Sequence, residues 1–104
     1  MTDKLLILTT AGSESEAKKI AQLLVERRLA ACVNVIPRMH SVYRWKDKVE
    51  SAEEFLLLIK TRKENESAVQ AAIRELHSYD LPECISIQID GGSAEYLNWI
   101  TESL

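Results

Sequence analysis

Two cysteines, two histidines and a handful of polar residues in the second half of the chain are the positions where this sequence could do chemistry. Cys32 and Cys84 are candidate soft-metal ligands, because thiolates prefer Cu(I) and Zn. Neither has a Cys-x-x-Cys partner and both lie inside apolar strand patterns, so a free buried thiol is the competing reading. His77 stands at a helix end, where an imidazole can ligate a metal or cap the last carbonyls. His40, in the loop after Pro37, reads as exposed. Lys60, Tyr79, Pro82 and Glu83 fall where a strand end meets the connection into the last strand. Converging with His77, the lysine and the carboxylate would suit a small anion or a coordinated metal. The alternative is an ion pair that fixes an interface. Tyr43 and Trp45 can stack on a ligand or pack a hairpin on a neighbour.

Enzyme chemistry has little foothold. The sequence offers no phosphate-cradling glycine loop, no His-x-x-x-His pair and no nucleophile beside a base, and Gly91-Gly92 reads as a turn. Thirteen basic and sixteen acidic residues give a net charge of −3, with no basic cluster, so nucleic acid is not an expected partner. No apolar stretch approaches the roughly 18 residues of a membrane span, and the Met1–Lys4 start lacks an apolar signal core. A cytosolic location is the expectation. With 46% hydrophobic residues over 104 positions, residues 1–104 should form a single globular domain.

The elements that must position these residues are organised around one long β-hairpin, Leu29 to Lys60. Each arm is about three times the usual strand of roughly 5 residues. Pro37 cannot donate a ladder hydrogen bond and should mark a bulge or bend in the first arm. The polar corner Lys46–Lys48 reverses the chain. Before the hairpin, Lys4–Thr10 is a continuous apolar run, a strand covered on both faces. Ser13 and Glu16 form a capping box for a helix over Ser13–Arg28 that buries Ala17, Ile20, Ala21 and Leu24. After the hairpin a second helix opens around Thr61–Glu66, carries Val69, Ala72, Ile73 and Leu76, and ends near His77. Cys84–Ile89 alternates, which predicts a strand with one buried face, and Ser93 caps a last short helix.

The order predicts an α+β, ferredoxin-like βαββαβ antiparallel sandwich with a C-terminal helix. Strands one and three belong in the centre, two and four at the edges. Both main helices cover one face of such a sheet. The other, carrying parts of Leu5–Leu8 and Phe55–Ile59, must be buried by something else. Several hundred Å² of apolar surface is worth on the order of ten kcal/mol before association costs, so self-association is expected.

Several segments resemble the CutA divalent-cation-tolerance family: residues 26–37 (ERRLAACVNVIP), 41–45 (SVYRW), 57–61 (LLIKT), 77–83 (HSYDLPE) and 95–99 (EYLNW). The likeness spans essentially the whole chain, in order. It implies a homotrimer with inward-facing sheets and an architecture similar to the PII regulatory proteins, which bind small ligands between subunits. Lys60, Tyr79 and Glu83 would then line an intersubunit cleft. It also implies a role in tolerance to copper or other divalent ions, with His77, Cys32 and Cys84 as the ligand types to hand. The family's bacterial copper site places a Cys near the end of strand one and two adjacent His before the Tyr. Here Thr9, Leu76 and His77 occupy those positions, so one ligand of three remains. Asp47 stands where the family often has a Gly at the hairpin tip, and Arg38 where a Gly commonly follows the Pro. Three functions are consistent with this reading: divalent-cation handling, a PII-like module binding a metabolite or partner protein, and a scaffold without ligand.

Overall fold

A computed structural model describes all residues from Met1 to Leu104. The strand β1 (Lys4–Ala11) lies between β3 (Lys48–Arg62) and β4 (Ile85–Gln88), and β2 (Cys32–Trp45) forms the far edge. The order β2-β3-β1-β4 is antiparallel throughout and puts the two strands with two-sided apolar runs in the centre, as the patterning requires. Leu5, Ile7, Thr9 and Ala11 alternate onto one face with Leu57, Ile59 and Thr61. There they meet α1 (Glu14–Glu26) and α2 (Glu66–Leu76) through Ala17, Ile20, Leu24, Val69 and Ile73. Ile7, Ile20, Leu24, Leu57, Ile59 and Ile73 have no residual exposure, and each such side chain contributes about 1.5–3 kcal/mol.

Local rules account for the joints. The Ser13 hydroxyl accepts from the Glu16 N–H at 3.2 Å, but the expected capping box is half made. The Glu16 carboxylate turns away and accepts from the Ser78 N–H at 3.0 Å, tying the start of α1 to the connection after α2. α1 stops at Glu26, two residues short of the expected end, because Arg28 swings to φ +57°. The Leu29 N–H then bonds the Leu24 carbonyl and the Arg28 N–H bonds that of Val25, a Schellman cap with arginine in the left-handed position. The register of the hairpin shifts between Ile36 and Met39, so Pro37 does mark a bulge, with Arg38 at φ +57°. Two residues rather than three make the tip: Lys46 and Asp47 both have positive φ, as a type I′ turn needs, and Lys48 already pairs with Trp45.

The return arm runs on to Arg62. Thr61, expected to open the second helix, is instead a buried strand residue that donates to the Leu29 carbonyl at 2.6 Å. A single 3-10 turn, Lys63–Asn65, leads into α2. β4 is shorter than the expected Cys84–Ile89 and alternates. Ser86 faces the helices opposite Ile7, whereas Ile85 and Ile87 face away and stay 52% and 46% exposed. The strand's apolar side therefore belongs to the face that α1 and α2 leave open. α3 (Ala94–Glu102) covers part of that face near Lys60, burying Ile100. The chain's own last helix thus does some of the covering assigned to another copy. Leu6, Leu8, Leu56 and Leu58 remain only half-buried.

Candidate functional site

β1 ends at Ala11, opposite Phe55, and β3 continues past it by seven residues with only β2 beside it. The connection after α2 packs into the place β1 vacates and closes a concave pocket of about 450 Å³. Tyr43 and Trp45 come from the first arm of the hairpin, Glu50 and Glu54 from the second, and Ser78 to Leu81 with Glu83 from the connection. Alternation puts Glu50 and Glu54 on the same side of β3 as Leu56, Leu58 and Lys60, the face left open by the two main helices.

Glu54 is the anchor. It is 9% exposed, and its Oε2 accepts from the Tyr79 hydroxyl at 2.9 Å. Burial, then the hydrogen bond and charge of Glu54, push the Tyr79 phenol up to about 12, so it stays a neutral donor. Glu83 is held above the usual carboxylate range by partial desolvation and by the nearby charge of Glu54. Gly12 lets the Tyr79 ring in: a Cβ there would stand 3.0 Å from the phenol oxygen. No lysine or arginine lines the pocket.

His77 supports this wall from behind. Its side chain is fully buried. Nδ1 accepts from the Tyr79 N–H at 3.1 Å, which leaves Nε2 to donate to the Thr10 carbonyl at 2.5 Å. Glu16 lies 3.9 Å from Nδ1. Burial would raise the Glu16 carboxyl, but the hydrogen bond from Ser78 and the neighbouring His77 hold it below its usual value. With both ring nitrogens engaged, His77 within one chain has no lone pair free for a metal.

The remaining candidates lie elsewhere. Lys60 is six residues along β3 from Glu54, about 20 Å at strand spacing, so it does not join Tyr79 and Glu83 within one chain. It reaches Tyr96 of α3 instead, with Nζ 3.3 Å from the phenol oxygen and 5.5 Å from the ring centre. Cys32 pairs with Lys60 across the sheet and shares the open face. Cys84 sits on the helix side, half-buried near Arg74, and burial raises its thiol pKa, which disfavours the thiolate. The two thiols are therefore on opposite faces of the sheet. No three His, Cys, Asp or Glu side chains within the chain come together as a metal cluster. His40 is exposed on the hairpin opposite Glu53.

Sequence reasoning named Tyr43, Trp45, Tyr79 and Glu83 but missed Glu50, Glu54 and Asp80. A signal existed: Glu54 falls in phase with Leu56 and Leu58, where the pattern calls for an apolar residue. An acid in that phase is either a break in the sheet face or a site.

An antiparallel ferredoxin-like sheet with an overhanging hairpin and an apolar face left open by the two main helices defines the class of domain. Residues 5–103 match the family described as CutA1 divalent ion tolerance protein, and the chain belongs to that family. It is 42% identical over 98 residues to the divalent-cation tolerance protein CutA of Thermus thermophilus, covering 94% of this chain and 95% of that one. To the CutA homolog of Xenopus laevis it is 48% identical over 91 residues, 88% of this chain and 60% of the relative. The chain spans only 54% of the chloroplastic CutA of Arabidopsis thaliana. Among solved structures, CutA from Xylella fastidiosa superposes with a TM-score of 0.96 at 41% identity, covering 98% of both chains. The CutA of Archaeoglobus fulgidus, described as periplasmic, gives 0.93 at 41% identity, covering 96% of this chain and 97% of that one. Relatives thus reside in more than one compartment. No helix here is long and apolar enough to cross a membrane.

Proposed function

We propose that the protein serves divalent-cation tolerance as a homotrimer, with copper or another divalent ion held by residues from more than one copy. One observation carries the reading. The sheet face left open by α1 and α2 exposes Ile36, Ile85 and Ile87 at 44%, 52% and 46% beside half-buried Leu6, Leu8, Leu56 and Leu58. A continuous apolar face of this kind marks an interface, and closed symmetry is the usual way identical chains cover it. Since one chain gathers no metal cluster, the ligand set has to be completed across copies. Of the candidate ligands, Cys32 is the one on the open face; His77 has both nitrogens in use and Cys84 faces the helices.

The test is light scattering joined to calorimetric titration of the reduced protein with Cu(I), Cu(II) and Zn. Wild type should weigh three chains and bind metal saturably, while Cys32→Ser should bind much more weakly and His77→Ala should not differ beyond its loss of stability. Ile87→Asp should fall to single chains and lose the metal. A monomeric wild type, or metal binding untouched by Cys32→Ser, defeats the reading. The pocket walled by Tyr43, Trp45, Glu54 and Tyr79 favours a second reading, a PII-like module in which a small ligand occupies a cleft between subunits.

A further inference from the structure

Three aromatic rings and four carboxylates face one pocket, and nothing positive answers them. We propose that this pocket binds a small organic cation, an ammonium group carrying an apolar body. The inference rests on the ligand-cleft reading of the same site and names its ligand class. Tyr43, Trp45 and Tyr79 line it with aromatic rings, the side chains that attract ammonium groups, most strongly when the cation is taken out of water. Glu50, Glu54, Asp80 and Glu83 supply the negative potential.

Glu54 makes the case more than the count of acids does. It is nine-tenths buried, its hydrogen-bond partner is the neutral phenol of Tyr79, and no lysine, arginine or histidine stands within ion-pair distance of it. A buried carboxylate without a counter-charge is costly and is stabilised by a cation brought to it. A bare metal ion fits poorly, because no three of these carboxylates converge on one point and the pocket, at about 450 Å³, is far larger than an ion. The dispersed carboxylates and the aromatic lining suit a ligand whose positive charge is spread over alkyl groups. Two lysines stand near the hairpin tip, Lys46 at 5.9 Å from the Trp45 ring centre and Lys48 paired with Trp45 across the hairpin, and neither lines the pocket.

The experiment titrates the full-length protein calorimetrically with choline, with the neutral alcohol in which carbon replaces the choline nitrogen, and with inorganic phosphate. Mass is recorded by light scattering in the same samples. Choline should bind saturably and the neutral isostere about tenfold more weakly or worse, while phosphate should not bind. Glu54→Gln keeps an acceptor for Tyr79 and Trp45→Leu alters an exposed position, so both should fold, and each should weaken choline by about tenfold. Equal binding of choline and its isostere, binding of phosphate, or choline affinity unchanged in both variants overturns the inference. A trimer that gives no choline response also overturns it and leaves the assembly standing, its pocket then being filled by a neighbour's side chain. A monomer that binds choline upholds the inference and removes the assembly.

Discussion

Replacing Tyr79 by Phe deletes one oxygen and leaves Glu54 buried without its donor. The bond is 2.9 Å long and ends on an ionised group that is 9% exposed. Hydrogen bonds to charged groups contribute about 1.5–3 kcal/mol, and an abandoned buried acceptor costs its desolvation in full. The pocket admits water to one side of Glu54, so we expect the lower part of that range, about 1.5 kcal/mol. With urea slopes of about 1–3 kcal/mol/M, the unfolding midpoint should fall by roughly 0.5–1.5 M at fixed protein concentration. Glu54→Leu in the same background, which removes the acceptor, separates the pair from its surroundings. If the bond is the source, the double variant should lose at least about 1 kcal/mol less than the sum of the two singles. A second signature is the phenol itself. Because its folded value lies near 12 against 10.0 for an ordinary tyrosine, the folded state holds this proton more tightly. Stability from that source is complete below pH 10.0 and falls as pH rises toward 12, and the fall should shrink in Glu54→Gln. Additivity of the two substitutions within about 0.5 kcal/mol, together with an alkaline tyrosinate titration unaltered by Glu54→Gln, would refute the reasoning.

Three further outcomes are expected. Arg38→Gly should stabilise the chain by up to about 1 kcal/mol in denaturant titration, since φ +57° at the bulge strains any residue with a Cβ. Thr9→Val should gain about 1 kcal/mol by the same measurement, because the Thr9 hydroxyl is fully buried with no partner. Glu83→Gln should raise the melting temperature slightly at pH 7 and leave it unchanged near pH 4. Its folded pKa is raised above 4.5, so ionisation erodes stability as pH climbs through that window, and the amide escapes the loss. A larger gain at low pH than at neutral pH contradicts that sign.

Most of the architecture was legible because it rests on local and periodic signals. The two-sided apolar runs at Lys4–Ala11 and Phe55–Ile59 can only be central strands, and a proline inside a strand has to break its ladder. Even the family's habit of a Gly after that proline acquires a cause once Arg38 is found in the left-handed region. The errors were of endpoint. Thr61 looks like a helix opener beside Arg62 and Glu64, yet pairing with Leu5 holds it in the strand.

The sequence by itself determined which residues are apolar, at which period, and where the backbone must turn, and from these the order of strands follows. Which side of β4 is covered, how far Lys60 lies from Glu83, and that both nitrogens of His77 are engaged were decided only when the chain closed on itself. The reason is physical. Periodicity records what each residue prefers against water, whereas a site depends on which distant segments fill the gap where a neighbouring strand ends. Glu54 meets Tyr79 because β1 stops at Ala11, twenty-five positions separate them in the chain, and no local rule connects the two.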